Sequence, residues 1–284
     1  MVVDAHFHLW DIWRHDYPHP DDPAVQSSRH LVGPMEFTAV TAPHRIEAAV
    51  LVQALASEEE TRYLLAHAVA NPLIAGVVGW VDLTAPDVDA RLAALNCIAL
   101  TGIRHPVCDE PDPCWLLRDD VMRGLRALGA AGLVYDLHIS ERELPAAIEA
   151  AARLPETRFV VDHLALPRID EGASDPWAAH LSFLATLPNV TAKLSGLITQ
   201  ANWTSWTTAD LVPYTQHAIE VFGPDRLMFG SDWPTSALAA PYEQVLETAE
   251  ALLNGLNPAE RAAVMGNTAR RVYCLPARHA AHTE

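Results

Sequence analysis

The feature that most constrains the fold is an alternation running the length of the chain, in which short apolar, β-branched runs are separated by longer Ala-rich amphipathic stretches. The short runs fall near residues 2–8, 48–53, 74–81, 100–104, 133–139, 158–163, 190–194 and 226–231. Helical patterns lie near 58–70, 88–95, 117–130, 141–154, 177–187, 209–222 and 242–254, with a closing helix near 258–269. Strands that alternate with helices form βαβ units and a parallel sheet. Eight such strands predict closure into a (β/α)8 TIM barrel, and 284 residues suit one such domain. Residues 1–284 are therefore read as a single barrel domain, with 277–284 as a flexible tail.

Turn chemistry sets the boundaries. Asn71-Pro72, Pro188-Asn189 and Gly223-Pro224-Asp225 each stop a helix before the next strand. Ser57 followed by Glu60 predicts a capping box at the helix after strand two. Residues 11–43, with Pro18, Pro20, Pro23 and Pro34, read as a long irregular loop over the mouth of the barrel.

Composition narrows the function classes. A net charge of −17 argues against nucleic acid as a partner, because phosphates need a basic surface. It also means that an anionic ligand needs local cations. Apolar runs are broken before the roughly 18 residues of a membrane helix, so no membrane span is expected. No basic leader precedes Val2-Val3-Asp4, and Cys97, Cys108, Cys114 and Cys274 form no C-x-x-C pair. These features read as free thiols in a reducing, cytoplasmic setting. A homo-oligomer is left open.

Chemistry gathers at the strand ends. In His6-Phe7-His8 the period-two alternation sends both histidines to one side, with Asp4 behind them and Ala5 and Phe7 facing the other way. Two imidazoles at a strand end can hold a divalent metal or a substrate carbonyl, although H-x-H pairs are also common as packing residues. Asp232, in Gly230-Ser231-Asp232-Trp233-Pro234, follows the last strand and would meet the histidines when strand eight closes on strand one. It can ligate a metal or take a proton from water; the plain alternative is a turn-forming Asp.

Other strands carry Arg104-His105, Asp136 and His138, Asp162-His163 and Lys193. An ionisable group on an apolar strand needs a partner or a site. Lys193 and Asp162 can neutralise each other inside the barrel, leaving His163 to face the mouth. His138 can equally flank a loop. Trp10, Trp13 and Tyr17 can wall a pocket or simply pack, and His15, His19, His30, His279 and His282 read as loop or tail residues. No P-loop, G-x-G-x-x-G or G-x-S-x-G is present.

Taken together, Asp4-Ala5-His6-Phe7-His8-Leu9-Trp10, Gly102-Ile103-Arg104-His105, Tyr135-Asp136-Leu137, Val161-Asp162-His163-Leu164, Lys193-Leu194-Ser195-Gly196-Leu197 and Met228-Phe229-Gly230-Ser231-Asp232-Trp233-Pro234 resemble the lactonase branch of the amidohydrolase superfamily. That branch includes hydrolases of fuconolactone, rhamnonolactone, 2-pyrone-4,6-dicarboxylate and muconolactone derivatives. The likeness is greatest to the sugar-lactone members, through His8-Leu9-Trp10, Arg104-His105 and Ser231-Asp232-Trp233-Pro234.

The resemblance implies that Asp232 activates water while His163 and Arg104 orient or polarise the substrate. Arg104 would grip a hydroxyl or carboxylate in a bidentate way. His6, His8, Trp10, His105, Lys193 and Trp233 would complete the lactone-binding surface. The family is mixed in metal use. This chain has no strand-four lysine of the kind that bridges two metals, so at most one divalent ion, zinc by preference, is expected on His6, His8, His138 and Asp232. Metal-free hydrolysis is the alternative. His138 falls where mononuclear decarboxylase relatives have a metal-binding histidine, which keeps a zinc-dependent nonoxidative decarboxylase as a second reading. A catalytically silent sugar-acid-binding barrel is the third.

Overall fold

The computed structural model describes residues 2–11, 32–95 and 97–276. Trp13, Tyr17, the loop and tail histidines (His15, His19, His30, His279 and His282) and the 277–284 tail lie outside the described residues. Eight parallel strands follow one another around a single sheet in chain order. They are β1 (Val2–Phe7), β2 (Ile46–Val52), β3 (Ile74–Gly79), β4 (Leu100–Pro106), β5 (Val134–His138), β6 (Arg158–Val161), β7 (Val190–Leu194) and β8 (Leu227–Phe229). The barrel closes just beyond β8, where Phe7 pairs in parallel with Trp233 and the His8 amide donates to the Trp233 carbonyl at 2.8 Å. The chain is thus a (β/α)8 barrel.

Helices alternate with the strands and pack outside them. They are α1 (Pro34–Thr41), α2 (Glu58–Ala70), α3 (Val88–Ala94), α4 (Asp119–Ala130), α5 (Leu144–Arg153), α6 (Trp177–Ala185), α7 (Thr208–Phe222) and α8 (Tyr242–Leu252). The chain then forms α9 (Pro258–Ala262), a π-helical turn (Ala263–Asn267) and α10 (Thr268–Val272) in place of one closing helix. α1 lies within the segment expected to be loop. Pro34 is its first residue, the one helical position where a missing amide costs nothing. At the head of α2 the Ser57 hydroxyl accepts from the amides of Glu59 and Glu60. The Glu60 carboxylate reaches back to the amides of Ala54 and Leu55 instead of Ser57, so only half of the expected capping box forms.

Strands covered on both faces need apolar residues in near-continuous runs, which is why they carry so few polar groups. Two cores result. One lies between sheet and helices, and a smaller one containing Ala5, Val50, Val52, Val134, Val160 and Met228 fills the barrel below the site. Ala269, Val272, Tyr273 and Leu275 plug that smaller core. The carbonyl of Val272 accepts from Arg158 at the start of β6, so Tyr273 enters from the N-terminal end of the barrel and is buried there.

Strand β1 departs from simple alternation. Asp4 pairs with Ala49 and Phe7 with Leu51, so three steps on β1 match two on β2. Such a bulge reverses the facing of everything beyond it. Ala5 joins the interior core while Asp4 turns outward to Tyr242 of α8, which corrects the expectation that Asp4 stands behind the histidines and Ala5 faces away. His6, past the bulge, enters the barrel.

Candidate active site

A column of polar side chains runs down the barrel axis from the C-terminal ends of the strands. At its top, His6 and His8 leave β1 with their Nε2 atoms 3.1 Å apart. Asp232 Oδ1 lies 3.5 Å from His8 Nε2, 3.8 Å from His6 Nε2 and 3.9 Å from His163 Nε2. The Asp232 carboxylate therefore faces three imidazoles and, among the described residues, accepts from no backbone amide. Its backbone sits in the left-handed region at φ 56, and its amide is held by the His6 carbonyl at 2.8 Å. The preceding amide, Ser231, donates to Asp4 Oδ1 at 2.8 Å, and Tyr242 holds Asp4 Oδ2 at 3.1 Å. Burial pushes the Asp4 carboxyl up to about 6. Outward-facing Asp4 thus fixes the loop that aims Asp232.

His163 is aimed by backbone and by a hydroxyl. Residues His163, Leu164, Ala165 and Leu166 have φ of 52, 51, 63 and 49, a left-handed turn made without glycine. Each such residue costs about 1–2 kcal/mol, so the surroundings must hold the turn. The Trp177 indole does so by donating to the Leu164 carbonyl at 2.6 Å. The ring's Nδ1 is hydrogen-bonded to Ser195 Oγ at 2.8 Å, which leaves Nε2 facing Asp232. A Cβ on Gly196, at φ +61, would come within 2.5 Å of His163 Nδ1, so this close approach requires glycine.

Below lies a fully buried ionic layer. Lys193 Nζ sits 2.5 Å from Asp136 Oδ2, 2.9 Å from Asp162 Oδ1 and 3.2 Å from His6 Nδ1. Tyr273 donates to Asp136 at 2.8 Å. Burial pushes the Asp136 carboxyl up to about 6 although Lys193 opposes it. For Asp162 burial also acts upward, yet the neighbouring cations Lys193 and Arg104 bring it well below the usual carboxylate range. Arg104 NH1 donates to Asp162 Oδ2 at 3.1 Å and NH2 donates to the Gln53 carbonyl. Burial, with Lys193 second, holds His6 well below the usual histidine range, and burial lowers His163 as well, so both rings stay neutral at neutral pH.

His6 Nε2, His8 Nε2 and Asp232 Oδ1 lie close enough together to hold one ion. His8 Nδ1 must carry its proton, because it bonds the Val52 carbonyl at 2.9 Å, and this leaves Nε2 with a lone pair for a metal. Two imidazoles and a carboxylate suit a divalent ion with open positions. A family model described as Amidohydrolase matches residues 3–275. The chain belongs to the amidohydrolase family. It is similar to an L-fucono-1,5-lactonase of Burkholderia multivorans, 38% identical over 97% of each chain. It is also similar to an L-fucono-1,5-lactonase of Burkholderia ambifaria, 36% identical over 95% of this chain and 94% of that one. A crystal structure of a Burkholderia multivorans amidohydrolase with bound zinc superposes with a TM-score of 0.90 at 36% identity, covering 97% of this chain and 100% of that one.

Within this amidohydrolase barrel the sequence-predicted residues separate into two groups. His6, His8, His163, Asp232, Arg104 and Lys193 share the column. His138 does not join the ligand atoms of the His6, His8 and Asp232 cluster. Its ring centre is 6.0 Å from that of His163, and its Nε2 is 3.8 Å from Cys108 Sγ. The sequence placed it on the correct strand, but the atoms of that cluster that could hold an ion come from the ends of β1 and β8, which meet at closure.

His105 is turned aside, stacked on Trp115 at 4.2 Å with its nitrogens on the Trp80 indole and Glu110. Trp233 packs on Phe37 at 5.6 Å, and half-buried Trp10 pairs through its backbone with Val32. The Arg104 guanidinium, expected to grip substrate with two nitrogens, gives both terminal nitrogens to the barrel wall; only Nε lacks a partner among the described residues. Ser195, Gln53 and Tyr273 were not singled out. Ser195 had a signal, since it lies two residues beyond inward-facing Lys193. Among the described residues no helix is long and apolar enough to cross a membrane.

Proposed function

We propose that this amidohydrolase opens the ring of a sugar-acid lactone, with a fucono- or related aldonolactone as the substrate class. The observation that carries the reading is one carboxylate, Asp232, buried to 5% exposure yet faced, among the described residues, by three histidines rather than by a cation. Such a group can take a proton from water beside a carbonyl carbon and later return it. The two fuconolactonase relatives, similar over nearly their whole length, support the cyclic-ester substrate.

Asp232 accepts a proton as water attacks the lactone carbonyl. His163, fixed by Ser195, presents Nε2 to the carbonyl oxygen as negative charge develops there. Collapse of the tetrahedral intermediate breaks the bond to the ring oxygen, which takes the proton back from Asp232. A divalent ion on His6, His8 and Asp232, zinc by analogy with the zinc-bound relative, would supply Lewis-acid polarisation of the carbonyl. With His138 outside that cluster, the geometry gives more support to the lactonase reading than to a decarboxylase.

A pH-indicator screen of aldonolactones, pyrones and muconolactones, run with and without added zinc, tests the reading. Acid release from at least one aldonolactone is expected. Background rates across the panel would sink it, and carbon dioxide release from a carboxylated aromatic would install the decarboxylase. Ligand binding without turnover would make the chain a sugar-acid-binding barrel.

A further inference from the structure

His6 meets two neighbours at each nitrogen, and the four distances favour one protonation pattern over the other. Lys193, as an ammonium between two carboxylates, has only donors to offer, and it faces Nδ1 at 3.2 Å. Asp162 Oδ1, an acceptor, is farther from Nδ1, at 3.4 Å. Nε2 faces the lone pair of His8 Nε2 at 3.1 Å and the donor Arg104 NH1 at 3.3 Å. With the proton on Nε2, Lys193 donates to Nδ1 and Nε2 donates to His8, and two like contacts remain, donor against donor with Arg104 at 3.3 Å and lone pair against carboxylate with Asp162 at 3.4 Å. With the proton on Nδ1, the bonds are the 3.4 Å contact to Asp162 and the 3.3 Å contact from Arg104. Two like pairs are then forced together, Lys193 against N–H and lone pair against lone pair at His8. A doubly protonated ring would face the Lys193 ammonium and Arg104 at once. Each neutral pattern leaves two like contacts, but the first has the shorter bonds, at 3.1 and 3.2 Å, and the longer conflicts, at 3.3 and 3.4 Å.

We propose that Lys193 is a positioning residue that holds His6 as its Nε2–H tautomer, so that divalent-metal binding at His6 and His8 must displace an internal hydrogen bond. A metal needs the lone pair of His6 Nε2. The proton then moves to Nδ1, where Asp162 accepts it, while Lys193 keeps its bond to Asp136. His6 is neutral before and after, so no proton is released by this ring. The same two neighbours therefore act in opposite senses: Lys193 resists the metal and Asp162 favours it. In the metal-free state His6 presents an N–H to the site, ready to donate to a carbonyl oxygen. The inference rests on reading His6 and His8 as the metal-binding pair and not on the identity of the lactone.

The test uses the whole protein with 15N-labelled histidine, with His6 assigned by comparison with His6→Asn, and zinc affinity measured by chelator competition. Wild-type apoprotein is expected to show Nε2–H at His6, changing to Nδ1–H on addition of zinc. Lys193→Met combined with Asp136→Asn, which leaves no unpaired charge between those two positions, is expected to bind zinc about tenfold more tightly, the worth of one hydrogen bond. Asp162→Asn is expected to bind zinc about 10–100-fold more weakly while keeping the apo tautomer. An Nδ1–H signal in zinc-free wild type overturns the proposal, as does an unchanged zinc affinity in the folded double variant. If that variant does not fold, the wild-type tautomer and Asp162→Asn decide. Neither readout involves a substrate, so an unproductive lactone screen would leave this result standing.

Discussion

The two halves of the polar column are built by opposite means. The upper half, His6, His8, His163 and Asp232, stands on irregular backbone: a bulge in β1, a left-handed turn after β6 and a left-handed residue after β8. Among the described residues its carboxylate is offered histidines at 3.5–3.9 Å and no full charge partner. The lower half, Lys193, Asp136 and Asp162, comes from strands and their ends, with Tyr273 below and Arg104 above closing the remaining contacts. Irregular backbone points side chains where strand geometry cannot, and incomplete pairing leaves them free to exchange protons. The lower half gains rigidity from close pairing of opposite charges. Substitutions in the lower half should therefore register in stability, and those in the upper half in turnover.

The largest effect is expected below. Asp136→Ala strips Lys193 of its closest carboxylate and Tyr273 of its acceptor in a site without water access. Breaking a buried pair from one side costs about 3–5 kcal/mol. Urea denaturation should show that loss, and a variant within about 1 kcal/mol of wild type would mean that the ionic layer is not the rigid base described here.

Asp4 links the halves from outside the barrel. Its carboxyl, raised by burial from 3.8 to about 6, favours the proton in the folded state. That preference stabilises the fold fully below pH 3.8 and is lost as pH rises through about 6. Asn does not titrate. Relative to wild type, Asp4→Asn should therefore gain stability between about pH 4 and pH 6, by up to about 3 kcal/mol. Parallel stability–pH curves for the two proteins would show that Asp4 is not held under strain behind the Asp232 loop.

What could be read from the sequence follows the same division. The range of α2 was legible residue for residue because Ser57 and Asn71-Pro72 are local stop and start signals. The column's membership was legible because strand ends converge in a barrel. The facing of Asp4 was not: a bulge depends on how β1 registers against β2, and no residue type in β1 announces it. Nor was the turn at His163–Leu166, where leucine and alanine adopt a conformation that local preference assigns to glycine. Arg104 and His138 were placed on the correct strands, but their partners, Gln53, Asp162 and Cys108, come from elsewhere in the chain. Lys193 and Asp162 do pair, as one of the two sequence readings allowed.

For the upper half, Asp232→Asn keeps the shape of the side chain and removes its ability to accept and return a proton. Turnover should fall by about 100-fold or more with the melting temperature little changed, and zinc content should be measured on the same samples. A turn-forming Asp would predict the reverse. A folded variant retaining more than about a tenth of wild-type turnover contradicts the mechanism.

The smallest effect separates aim from chemistry within the upper half. Ser195 touches only His163 Nδ1 in the column, at 2.8 Å, and exchanges no proton in the proposed reaction. Ser195→Ala removes the hydroxyl that fixes the ring's tautomer, while the left-handed turn and the Trp177 bond to Leu164 still hold the backbone of His163. The ring then divides its time between two tautomers, only one of which offers an Nε2 proton to the carbonyl oxygen. Turnover should drop by about tenfold, equivalent to about 1.4 kcal/mol, with KM nearly unchanged because the ground-state carbonyl gains little from that donor. Stability should fall by no more than about 1 kcal/mol, the usual worth of one such bond. Equal losses in kcat and in affinity would instead mean that Ser195 shapes the lactone pocket. An unchanged kcat would show that His163 is oriented by its backbone alone.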